Sequence, residues 1–171
     1  MKRIFVLLSL ALMLLSCGEK MSVEKINELE SKVFAKNATL TAENVIQLVD
    51  AYVLFAEQNP NDQQTPDFLF KALDVAVGVN AEGPQKAIDI ANVLIEKYPD
   101  FEMTPMAMFI KGFVYENMIG DLQNAEVTYR QFVEKYPNNP MVEDVKSTLE
   151  NLGLSPEELI RKFESRNEAA E

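Results

Sequence analysis

Glu96-Lys97-Tyr98-Pro99 recurs as Glu134-Lys135-Tyr136-Pro137, 38 residues later, and this recurrence decides how the rest of the chain is read. Proline cannot continue a hydrogen-bonded helical turn, so each copy closes a helix, and Asn59-Pro60 closes another. Thr65-Pro66 likewise recurs as Thr104-Pro105, 39 residues later. Counting back from the prolines gives a register. Five residues before Pro60, Pro99 and Pro137 stand Phe55, Leu94 and Phe132, and twelve before them stand Leu48, Ala87 and Ala125. A period of this length, with two helices per unit, is the signature of stacked helical hairpins.

Apolar spacing outside these repeats is helical too. Val23, Ile26, Leu29 and Val33 share one helix face, as do Val45, Leu48, Tyr52 and Phe55. Thr41 can cap a helix, Thr65-Pro66 and Thr104-Pro105 place a capping oxygen before a proline at the first helical position, and Ser155-Pro156-Glu157-Glu158 adds a capping-box glutamate. These signals predict eight helices, at 22–35, 42–58, 66–79, 84–97, 105–118, 122–135, 140–151 and 156–165. The expected fold is all-α. Its units are a degenerate first hairpin over 22–60, repeats over 65–99 and 104–137, a C-terminal capping helix pair over 140–166 and a polar tail over 167–171. In the capping pair, Leu159, Ile160 and Phe163 are expected to face inward.

The unit 104–137 resembles the tetratricopeptide repeat through Gly112, Tyr115, Gly120-Asp121, Ala125, Tyr129, Phe132 and Pro137. Gly112 and Ala125 let two helices approach closely, Gly120-Asp121 turns the hairpin, and Tyr129 with Phe132 fills the seam. Residues 66–99 fit the pattern more loosely, and in 22–60 only the second helix fits well. The resemblance implies a right-handed superhelix of stacked tetratricopeptide-like hairpins. Two departures stand out: the period exceeds the standard ~34 residues, and Met108 stands where tryptophan is usual. Such extended units are similar to those of envelope repeat proteins such as the lipoprotein subunit of the β-barrel assembly machinery and the TolA-binding periplasmic coordinator.

The N-terminus carries a different signal. Lys2 and Arg3 precede an apolar run from Ile4 to Leu15, too short to span a ~30 Å hydrocarbon core, which needs about 20 residues. Residues 1–16 read as an export signal, and Leu14-Leu15-Ser16-Cys17 resembles the lipobox of bacterial lipoproteins. That resemblance implies a diacylglyceryl thioether on Cys17 and an acyl chain on its amine, with 17–21 as a lipidated tether. Two or more chains anchor a protein stably without crossing the bilayer. Gly18 is unlike an aspartate retention signal, which favours the outer membrane, facing the periplasm.

Composition narrows the chemistry. The net charge is −11, and loss of Lys2 and Arg3 takes it to −13, so nucleic acid is disfavoured as a partner. There is no histidine, and the single cysteine is assigned to lipid, leaving no thiol or imidazole for a metal, a redox couple or a nucleophile. No catalytic residue, metal site or cofactor is therefore assigned, and the chain is read as not an enzyme.

The expected partner is a protein or peptide of the envelope. By the family pattern, the first helix of 104–137 would present Met106, Phe109, Phe113, Glu116 and Asn117 on a concave face, with Lys71 and Asp74 as the comparable exposed candidates in the looser repeat. A thioether, two rings and an amide suit a peptide or helix. Phe109 and Phe113, at i and i+4, fit equally well as core against the neighbouring repeat. Two alternatives to a scaffold stand beside it: an envelope glycan hydrolase using two carboxylates ~5–9.5 Å apart in a cleft, and a glycan-binding accessory lipoprotein, disfavoured by the absence of tryptophan.

Overall fold

Ser22 and Thr41 open the first two helices with their hydroxyls. Ser22 Oγ accepts from the Lys25 N–H at 3.4 Å and Thr41 Oγ1 from the Asn44 N–H at 3.2 Å, satisfying donors that a helix N-terminus leaves without partners. The structure is a computed structural model and describes residues 20–36, 41–80 and 82–168. Among the described residues there are eight α-helices and no strand. They are α1 (Val23–Phe34), α2 (Ala42–Gln58), α3 (Thr65–Val77), α4 (Gly83–Lys97), α5 (Thr104–Phe113), α6 (Leu122–Lys135), α7 (Val142–Asn151) and α8 (Pro156–Glu168). The export signal, Cys17 and the last residues of the polar tail lie outside the described residues.

Each helix from α1 to α6 packs on its successor. This is the all-α stack of helical hairpins that the recurrence predicts: α1 with α2, α3 with α4, and α5 with α6. The register slots behave as equivalents, since Phe55, Leu94 and Phe132 are all buried, as are Leu48, Ala87 and Ala125. Each of these slots excludes water at the seam between helices. Truncating one of the large residues would cost about 3–5 kcal/mol for a phenylalanine.

The links between hairpins repeat in their backbone geometry and backbone hydrogen bonds. Asn59, Tyr98 and Tyr136 end α2, α4 and α6 with nearly the same backbone, at φ/ψ of −132/56°, −127/52° and −124/53°. Their carbonyls accept from Asp62, Phe101 and Asn139 N–H, and those three residues' carbonyls accept from Thr65, Thr104 and Val142 N–H. Here the structure corrects one expectation. Thr65 and Thr104 do not cap the helices they begin; neither α3 nor α5 has a side-chain cap bond. Each hydroxyl instead donates backward, Thr65 to Asn59 O at 2.6 Å and Thr104 to Tyr98 O at 2.7 Å. The physical reason is burial: both threonines are fully enclosed, and an enclosed hydroxyl bonds to the nearest acceptor, which the preceding helix end supplies. Tyr98 OH reaches one link further back, to Pro60 O at 2.8 Å.

Hairpin α5/α6 closes through a device the helical spacing did not reveal. After Phe113 the helix widens into a π-helical stretch, Val114–Ile119, ending at Gly120 with φ 76°. The left-handed backbone there favours glycine, and the Gly120 and Asp121 N–H groups both bond to Tyr115 O. Asp121 then caps α6 by accepting from Asn124 N–H at 3.0 Å. Gly112 is required for a different reason, because a methyl group on it would overlap the Tyr129 ring.

At the C-terminal end, the Ser155–Glu158 capping box forms in both directions, at 3.3 and 2.8 Å. α8 is tethered through Lys162 Nζ to Glu150 O and Asn151 Oδ1. Its expected inward face is only partly realised. Leu159 is half-buried and Ile160 is 57% exposed, because the chain bends at Gly153 (φ 75°) and, among the described residues, no helix packs extensively on α8. The side chain of Phe163 lies outside the description.

Candidate functional site

The candidate residues fall in two places. On α5 and its π-helical extension, Met106 and Phe109 are half-buried, while Phe113 and Asn117 are exposed. Phe109 takes the core alternative, its ring tilted against buried Tyr129 with centroids 5.9 Å apart. Phe113 is 40% exposed and takes no part in that ring contact. Glu116 turns back into the hairpin, where its Oε2 accepts from Tyr129 OH at 2.9 Å. A π-helical turn advances each residue through a smaller angle than an α-turn, so the stripe begun by Met106, Phe109 and Phe113 is not continued evenly by Glu116 and Asn117.

Lys71 and Asp74 lie on α3, facing α1, and here the structure supplies residues that the sequence reading missed: Glu30, Phe34 and Tyr52. Glu30 Oε1 accepts from Tyr52 OH at 2.7 Å and from Lys71 Nζ at 2.8 Å. The Lys71 ammonium also lies over the Phe68 ring at 5.4 Å and near the Tyr52 ring at 6.0 Å. Burial pushes the Glu30 carboxyl up, but hydrogen bonds from Lys71 and Tyr52 and the Lys71 charge outweigh it, and the pKa falls below the ordinary glutamate value. Burial, and then the bond to Glu30, raise the Tyr52 phenol.

Tyr52 stands eight residues before Pro60, as Tyr129 stands eight before Pro137, and both donate to a glutamate on the first helix of their hairpin. That register was legible in the sequence. The glutamate partners were not, because they lie 22 and 13 residues away.

Two adjoining depressions open here. One, of about 280 Å³, is lined by Glu30, Phe34, Tyr52, Lys71, Asp74 and Val75. The other, of about 480 Å³, shares Phe34, Asp74 and Val75 and continues over Val33, Val45 and Val79. Asp74 has no hydrogen-bond or ion-pair partner among the described residues. No group of side chains that could hold a metal ion occurs among the described residues, and none of their helices is long and apolar enough to cross a membrane.

The fold and this geometry define a helical-hairpin repeat protein. Residues 106–139 match the family model of the tetratricopeptide repeat, so the chain carries at least one such repeat, in the hairpin that holds Gly112, Gly120, Ala125, Tyr129 and Phe132. No curated protein and no solved structure matches the chain significantly.

Proposed function

We propose that this chain is a non-enzymatic scaffold of the bacterial cell envelope, anchored by lipid on Cys17 in the outer membrane facing the periplasm, and that its repeat stack holds a protein or peptide partner. One observation carries the scaffold reading: residues 106–139 match a family whose hairpins generally mediate protein contacts. The links at Asn59, Tyr98 and Tyr136, which repeat in backbone and backbone hydrogen bonding, agree with it. The anchor rests on Lys2-Arg3, the apolar run and Leu14-Leu15-Ser16-Cys17.

The glycan-hydrolase alternative finds no support at the α1/α3 cleft. A general acid needs a carboxyl raised toward neutrality, and Glu30, which shares the depression with Asp74, is shifted the opposite way.

Crosslinking in living cells with the anchor intact, followed by identification of the captured protein, tests the scaffold. Capture of a defined envelope protein is expected, and recovery of none would overturn the reading. A Cys17→Ser variant should leave the membrane fraction; one that stays membrane-bound would overturn the anchor.

A further inference from the structure

We infer that the α1/α3 cleft docks a segment of a partner protein in which a lysine or arginine stands beside large apolar residues, with Asp74 receiving the cation. The inference rests on the scaffold reading above and deepens it by assigning the chemistry of the partner.

The described lining of the two depressions holds three charged groups. Two of them, Glu30 and Lys71, neutralise each other at 2.8 Å. The third, Asp74, is exposed, unpaired among the described residues, and common to both depressions. The cleft is therefore net anionic in a chain of net charge −11, and a cation is the complement it selects.

Apart from Thr41 and Asn80, the rest of the larger depression's described lining is apolar. Val33, Val45, Val75 and Val79 line the larger depression, and Phe34, at 60% exposure, stands at the shared edge. A volume of about 480 Å³ lies in the range of sites that enclose several groups of a ligand. A bare metal ion or small amine would leave this wall wet. A peptide fits both parts: the aliphatic stem of lysine or arginine lies along Phe34 and Val75 with its charge on Asp74, and neighbouring apolar side chains fill the valine-lined end.

The test uses the full chain in detergent and a fluorescein-labelled, end-capped twelve-residue peptide of leucine, lysine and alanine, beside its glutamate-for-lysine counterpart, read by fluorescence anisotropy. The lysine peptide is expected to bind and the glutamate peptide not to. Asp74→Asn should weaken binding about tenfold, as for loss of a charge-assisted hydrogen bond, and Phe34→Ala should weaken it as well. Both residues are exposed, and circular dichroism checks that the variants fold.

Asp67→Asn removes the same charge from the same helix outside the cleft and should change affinity less than twofold. Equal losses for Asp67→Asn and Asp74→Asn would reduce the effect to overall charge and overturn the inference. So would binding of the glutamate peptide alone, or a cleft covered by a second copy, seen as dimers that exclude the lysine peptide. Binding lost with Phe113→Ala but not with Asp74→Asn would overturn the cleft assignment while leaving the scaffold intact. Failure of the scaffold itself is read separately, from the crosslinking experiment.

Discussion

Replacing Thr104 by valine isolates the repeated link, because the fold contains its own control. Thr104 is fully enclosed, and its hydroxyl donates to Tyr98 O at 2.7 Å. The same position one link later is Val142, whose N–H bonds to Asn139 O just as that of Thr104 bonds to Phe101 O. Valine therefore fits the slot, and Thr104→Val removes a hydrogen bond without a change of shape. Tyr98 O keeps its bond from Phe101 N–H, so no acceptor is orphaned, and the loss is that of one net hydrogen bond, about 1 kcal/mol.

In a chain of this size that loss corresponds to a fall of about 2–4 °C in Tm, with an unchanged urea m-value because the surface exposed on unfolding is the same. The assay is urea and thermal unfolding followed by far-UV circular dichroism. Val142→Thr, which offers a hydroxyl to Tyr136 O, should be neutral or stabilising. A Thr104→Val protein as stable as the parent, with Val142→Thr destabilised, would refute the claim that the threonines act as backward staples.

Gly112→Ala should destabilise the protein by about 1–3 kcal/mol, despite alanine's better helix propensity, because the added methyl meets the buried Tyr129 ring; a thermal melt showing a gain in Tm would contradict this. Tyr136 OH is buried without a hydrogen-bond partner among the described residues while Tyr98 OH donates to Pro60 O, so Tyr136→Phe should be neutral or stabilising and Tyr98→Phe should lose about 0.5–1 kcal/mol, both read from urea midpoints. Glu30 has a lowered pKa in the folded state, so its contribution is present above the unfolded value of about 4.3 and is lost as pH falls through the folded value. Lys71→Met should therefore flatten the acid limb of the stability–pH curve, and an unchanged limb between parent and variant would show that the pair contributes nothing.

Much of the architecture was legible because its causes are local. Prolines at 60, 99 and 137 end helices through their own missing N–H, Thr41, Asp121 and Ser155 cap through side chains three residues from their donors, and apolar spacing marks one face per helix. The recurrence of Glu-Lys-Tyr-Pro exposed the hairpin period for the same reason. The α5 candidates were legible only as a stripe. Which of Phe109 and Phe113 is covered depends on Tyr129, sixteen or more residues away in α6, and on the π-helical turn.

Sequence alone therefore determined that this chain is a run of amphipathic helices paired into repeating hairpins, since periodicity, caps and breakers act within a few residues of where they are written. Tertiary structure decided the direction of the Thr65 and Thr104 hydroxyls, the coupling of Glu30 to Tyr52 and Lys71, and the place of Asp74, unpaired among the described residues, beside Phe34 and Val75. These depend on which helices pack together, and an enclosed polar group bonds to whichever partner the packing brings within reach.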